Sequence, residues 1–257
     1  MAYSFKENIF SNLPFRKKLY LYFRLPKLIK LIRSCLRHVI KVKTNNYVLK
    51  DNEKIINFDL IIEKKEKLYK NNYIFIEKFF SENYYEYLKK NWPKKIYFDP
   101  PAKIGTFYNT FPKEFRTGLT KYPWIDQIIK TFLSKKSIDS FNELVGIRLK
   151  TTGNIALTDA GEGSEVPYHL DGTEKVSEYK DGFNLIIFLE GNDGENSGGL
   201  CLSHSNNYED KYFEVTKLNN TAILYKTGYN IYHGFKPMKK NTRRKMIGVI
   251  FLPEKSS

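Results

Sequence analysis

Cysteine is almost missing from this sequence. Its 257 residues hold only Cys35 and Cys201, far apart and outside any Cys-x-x-Cys or Cys/His cluster. That excludes a disulfide framework and a zinc knuckle, and it leads us to expect a reducing, cytoplasmic compartment. Long apolar runs are missing as well. Arg16, Lys17, Lys18, Arg24, Lys27 and Lys30 interrupt the apolar residues near the N-terminus. No signal-peptide core is therefore expected, and no run is long enough to span a bilayer. Histidine is scarce: His38, His169, His204 and His233 are the whole supply. No Ser-His-Asp or Cys-His-Asn arrangement can be argued from so few.

Acidic residues are missing from one end. Residues 1–50 carry twelve Lys and Arg against the single acid Glu7, so +11 of the net +15 lies there. The rest of the chain is nearly balanced, which disfavours a uniformly basic nucleic-acid enzyme. What is abundant is core material, with 19 Tyr and 19 Phe. A chain of this length fits one domain with an extension. We read residues 1–52 as a basic, amphipathic helical extension and 53–257 as the folded domain.

In the extension, Leu28, Ile32, Cys35, Leu36 and Val39 recur at helical spacing, with Lys30, Arg33, Arg37 and Lys41 largely opposite. This helix, Lys27–Val42, suits packing on the rest of the chain, or contact with an anionic membrane surface through residues 16–43. The latter would make the protein peripheral at the inner face of a membrane. Beyond the extension, Ile55–Ile62 and Tyr73–Ile76 read as strands. Ser81 caps a helix running to Asn91, and further helices are expected at Pro123–Leu133 and Ser137–Val145. After Gly146 the text becomes short strands between turn residues: Asn154–Ala160, Phe183–Leu189, Leu200–Ser203, Tyr212–Thr216, Thr221–Tyr225 and Arg244–Leu252. Such a series argues for an antiparallel sandwich or barrel.

Tyr168-His169-Leu170-Asp171-Gly172 follows a glycine-rich turn. In extended chain, positions i and i+2 share a side, so His169 and Asp171 can face one point. With His233, in a Tyr-His-Gly segment between two expected strands, they make a set of two histidines and one carboxylate. That set suits iron(II), because three ligands on one face leave the opposite positions open. Ten and eleven residues after His233 stand Arg243 and Arg244, opening an apolar strand. A buried arginine there can grip a dicarboxylate in a bidentate pair. If Arg243 faces inward, alternation buries Lys245 too, an expensive unpaired charge. If Arg244 faces inward, Met246, Gly248 and Ile250 follow it, so Arg244 is preferred and Arg243 stays as the alternative.

These residues resemble the Fe(II)/2-oxoglutarate-dependent oxygenase superfamily, and most nearly its prolyl-4-hydroxylase-like branch. That family's pattern is His-x-Asp, a hydrophobic strand, Gly-Gly with a strand behind it, a second His, then Arg. Here it is matched by His169-Leu-Asp171, Phe183–Leu189, Gly198-Gly199-Leu-Cys-Leu, His233 and Arg243/Arg244. The likeness covers about residues 146–253 and excludes the first fifty. It implies an α+β, mainly β fold: a double-stranded β-helix, or jelly roll, with supporting helices. It also implies metal ligation by His169, Asp171 and His233, and 2-oxoglutarate binding by Arg244 or Arg243. In relatives a tyrosine hydroxyl often helps the arginine. Here that inward position is Phe188, so another polar group, with Asn184 the candidate, completes the carboxylate's shell, or nothing does.

The resemblance further implies Fe(II), 2-oxoglutarate and O₂ as cofactor and co-substrates, with ascorbate as a supporting reductant. Hydroxylation is the expected reaction, releasing succinate and CO₂. Halogenating relatives lose the carboxylate that Asp171 supplies. Nucleic-acid dealkylating relatives carry a second arginine beyond the first, and none follows Arg244. The substrate class stays open among peptidyl, amino-acid and glycan-related groups. Two rival readings are a catalytically silent jelly-roll binding module, and a membrane-surface or nucleic-acid-binding protein acting through its basic N-terminus. The remaining candidates have simpler readings: His204 as a loop residue, His38 as structural, and Trp124 and Tyr232 as packing aromatics.

Overall fold

A computed structural model describes residues 54–92, 106–110, 130–132, 134–171, 181–228 and 230–254, with 106–110 and 151–155 described as backbone. The basic extension, His38, Trp124 and most of the helix expected at Pro123–Leu133 lie outside the described residues. The elements below belong to the unit formed by residues 44–257. Among the described residues no helix is long and apolar enough to cross a membrane.

The described residues form four α-helices: α1 (Phe58–Ile62), α2 (Lys65–Asn71), α3 (Glu82–Asn91) and α4 (Lys135–Val145). They also form ten strands: β1 (Tyr73–Glu77), β2 (Thr106–Thr110), β3 (Leu149–Gly161), β4 (Val166–His169), β5 (Phe183–Gly191), β6 (Cys201–Ser203), β7 (Lys211–Glu214), β8 (Thr221–Lys226), β9 (Tyr232–Phe235) and β10 (Arg243–Pro253). They form a six-stranded sheet, β1-β8-β5-β10-β3-β2, and a four-stranded sheet, β4-β9-β6-β7, with every pairing antiparallel. This is the expected jelly roll.

The sheets face each other over an apolar filling of Ile186, Phe188, Leu200, Leu202, Ile223 and Tyr225, with Met246 packed against it. The other face of the large sheet is covered by helices: Phe141 of α4 meets Phe251 of β10 at 4.7 Å between ring centres, and Phe58 of α1 at 5.3 Å. That is why β5 is buried over its first seven residues and is apolar there except at Asn184. Local signals set the ends. The Ser134 hydroxyl accepts from the Ser137 N–H at the start of α4, and Gly146, with φ 75°, closes it.

One expected strand is wrong. Ile55–Ile62 is not a strand but a single bridge, Ile56 to Phe80, followed by helix α1. Its run of β-branched residues buries Ile55, Ile56 and Ile61 without alternation. The Tyr-His-Gly segment, expected between strands, is itself the short strand β9. It pairs with β4 on one side and β6 on the other.

Candidate metal centre

The small sheet sets the geometry. His169, the last residue of β4, and His233, in β9, are direct partners across the ladder. Their rings lie 4.2 Å apart between centroids. Asp171, two residues beyond β4's last position on the same side of the chain, joins them. His169 Nε2 is 3.8 Å from Asp171 Oδ1, and His233 Nε2 is 3.4 Å from Asp171 Oδ2. The three ligand atoms all lie within 4.8 Å of one another. Cis ligands of an octahedral ion at about 2.1 Å stand about 3 Å apart, so small side-chain adjustments would close the set around a metal. Among the described residues this is the one cluster that could hold a metal.

Each ligand has support. The His169 Nδ1–H donates to the Pro167 carbonyl at 2.9 Å, which leaves Nε2 as the free lone pair. His233 is buried, and burial holds its pKa down to about 4 against the opposing pull of the Asp171 carboxylate. Its imidazole is therefore neutral around pH 7, the form a metal requires. Asp171 accepts from the Asn184 amide at 3.2 Å, and the same Nδ2 donates to the Tyr225 hydroxyl at 2.9 Å. His169 is half-exposed and Asp171 a quarter exposed at the side chain, so the cluster sits at an open mouth.

Deeper between the sheets lies Arg244, buried to 3% exposure. Its guanidinium rests 4.0 Å from the centre of the Phe235 ring and 5.8 Å from that of Phe188. One Nη donates to the Gly198 carbonyl, while Nε is buried without a partner. Among the described residues no carboxylate pairs with it. Burial lowers its pKa to about 9, which still leaves a full positive charge at neutral pH. An unpaired charge in an apolar interior is costly, and an anion entering there would offset that cost. Gly198 makes room: its φ of 91° suits glycine, and a Cβ there would crowd the Arg244 Cδ. His233 and Phe235 point to the same face of β9, two residues or about 6.7 Å apart. The ligand set and the guanidinium thus open on one interior. Two nitrogens and one oxygen, with an orphaned cation behind them, suit an Fe(II) ion and a chelating dicarboxylate.

Arg243 points the other way. It is exposed and grips Asp159 in a bidentate pair, Nε to Oδ1 at 2.7 Å and Nη2 to Oδ2 at 2.6 Å. Lys245 turns to Glu190 at 2.6 Å. Asn184, expected beside the arginine, instead has its amide on Asp171 and Tyr225 at the metal end. Tyr225 itself was not singled out from sequence. Every residue from Thr221 to Tyr225 is buried, so no alternation marks it. The register that makes it Asn184's partner would have found it. His204 is exposed and stacks on Tyr212 at 4.4 Å. Tyr232 is partly buried beside His233.

By sequence, no family model and no curated protein matches the chain. By structure it is similar to many solved proteins. One is an oxidoreductase of the 2OG-Fe(II) oxygenase family from Burkholderia pseudomallei, with a TM-score of 0.55 at 11% identity over 84% of this chain and 98% of that one. Another is HygX from Streptomyces hygroscopicus, solved with nickel and 2-oxoglutarate bound. It gives a TM-score of 0.54 at 11% identity, covering 74% of this chain and 86% of its own. A third is from work on prolyl 4-hydroxylases of Phytophthora capsici, with a TM-score of 0.53 at 14% identity over 82% and 68%. The chain has the fold of these oxygenases.

Proposed function

We propose that this protein is a non-haem Fe(II) oxygenase that consumes 2-oxoglutarate and O₂, and that it hydroxylates a small-molecule, peptide or glycan-related substrate. One observation carries the reading. Two histidines and a carboxylate converge at the mouth of a jelly roll whose interior holds a buried guanidinium with no acid partner among the described residues. The fold it shares with 2-oxoglutarate oxygenases supports the same reading.

His169, Asp171 and His233 would hold the metal, and Arg244 would bind the remote carboxylate of 2-oxoglutarate. When bound, iron and 2-oxoglutarate supply the oxidising chemistry, in which decarboxylation to succinate and CO₂ accompanies transfer of an oxygen atom to substrate. The protein's part is placement. Phe188 and Phe235 keep water from the guanidinium, and the charge-assisted pair gains strength in that dry setting. Retention of Asp171 as an anionic ligand supports hydroxylation over chemistry that needs a vacant ligand position.

The test is succinate release from 2-oxoglutarate across a library of small metabolites, peptides and glycans, with Fe(II) added. Turnover should depend on iron and should vanish in Asp171→Ala. Decarboxylation by Asp171→Ala at the unmodified rate would sink the assignment.

A further inference from the structure

The Asp171 carboxylate projects from a residue beyond the end of β4, so no ladder fixes it. Among the described residues its one hydrogen-bond donor is Asn184, at 3.2 Å to Oδ2. A carboxylate can only accept, so the Asn184 amide must present Nδ2 to it; turned over, two acceptors would oppose each other. The second Nδ2 hydrogen goes to the Tyr225 hydroxyl at 2.9 Å. Asn184 on β5 and Tyr225 on β8 are direct register partners inside the large sheet. Both are buried, and Tyr225 is fully enclosed with its ring 5.1 Å from that of His233.

We propose that Asn184 and Tyr225 are a positioning pair for the metal-binding carboxylate: Tyr225 orients Asn184, and Asn184 holds Oδ2 of Asp171. This rests on the metal-centre reading above. The arrangement ties a loop carboxylate of the small sheet to two buried, paired strands inside the large one. It engages Oδ2 and leaves Oδ1, with no hydrogen-bond donor among the described residues, as the oxygen free to ligate. A carboxylate restrained in this way ligates through one oxygen. That keeps one more position of the ion open for incoming ligands. Neither residue need touch the reacting atoms.

The full-length protein is titrated with Co(II), whose visible absorption reports the number and arrangement of ligands. Asn184→Leu, similar in volume but without the donor, should weaken Co(II) binding by about 10- to 100-fold and alter the bound ion's absorption band. Tyr225→Phe, which deletes one oxygen, should weaken it by about fivefold with a band shift of the same sign. The double variant should bind no more weakly than Asn184→Leu alone, because Tyr225 acts through Asn184. Unaltered affinity and band in Asn184→Leu, or losses that multiply in the double variant, overturn the proposal. Should Asn184→Leu not fold, Tyr225→Phe decides it, and an unaltered affinity and band there overturn it. Failure of the unsubstituted protein to bind Co(II) overturns the metal centre and the pair together. The predicted losses of Co(II) binding without 2-oxoglutarate turnover support the pair and overturn the oxygenase reading alone.

Discussion

Arg244 carries a cation into an apolar interior with no described acid to balance it, and that arrangement makes two opposite demands. Replacing it with leucine removes a buried unpaired charge, so the protein without ligands should gain stability, read as a higher Tm. The same variant should need far more 2-oxoglutarate, since truncating one partner of a buried charge pair costs about 2–5 kcal/mol. Arg243→Ala should leave the 2-oxoglutarate requirement unchanged, because its guanidinium is exposed on the outer face, and should lower Tm, because it strips the mostly buried Asp159 carboxylate of its bidentate partner. The reverse pattern would move the dicarboxylate site to the outer face of β10. His233 sets a pH dependence. Its folded pKa, near 4, lies below the ordinary 6.5. As pH falls through this window the unfolded chain takes up a proton that the folded imidazole refuses until about pH 4. Stability of the metal-free protein is therefore full above about 6.5 and declines on acidification, by up to about 1.4 kcal/mol per pH unit. Urea unfolding between pH 4.5 and 7 should show that slope, and His233→Gln should flatten it.

At the level of elements, legibility followed how far each residue's neighbours in space were also its neighbours in sequence. His169 and Asp171 were readable because a two-residue step in extended chain repeats on one side. Arg244 was readable over Arg243 because alternation along β10 has only two settings, and one of them buries Lys245. Tyr225 was hidden in a strand buried on both faces. The partners of Asn184 were not readable, because they come from β8 and the loop after β4. The Ile55–Ile62 segment misled because apolar β-branched residues fill a buried helix turn as well as a strand. Strand β9 was missed for its length: four residues show no period, and both of its neighbours are needed to hold it. Gly234 shows how tightly they hold it. A Cβ there would overlap the Val166 carbonyl oxygen and press on Tyr168. Gly234→Ala should therefore prise β4 from β9 and separate the two ligand histidines, losing Co(II) binding at a temperature where far-UV circular dichroism shows the strands still formed. Retained metal affinity would mean that β4 shifts without carrying His169 with it.

For the whole molecule, charge and chemistry occupy different parts of the chain. The ligands, the guanidinium and their supporting sheets come from residues 54–254, whereas +11 of the net +15 belongs to residues 1–50. Deleting residues 1–50 should accordingly leave Co(II) affinity and iron-dependent succinate release within about twofold of the full chain. The sequence leaves the segment two roles, packing on the folded domain or contact with an anionic surface, and a vesicle assay separates them. Each basic residue near such a surface contributes about 1 kcal/mol, so several acting together suffice for reversible attachment. The full chain should then sediment with phosphatidylserine-containing vesicles at low salt, should release as salt rises, and should lose this behaviour on truncation. Sedimentation that survives the truncation would place the contact in the jelly roll. A truncated protein that is insoluble would instead assign the apolar stripe of residues 28–39 to packing on the folded domain.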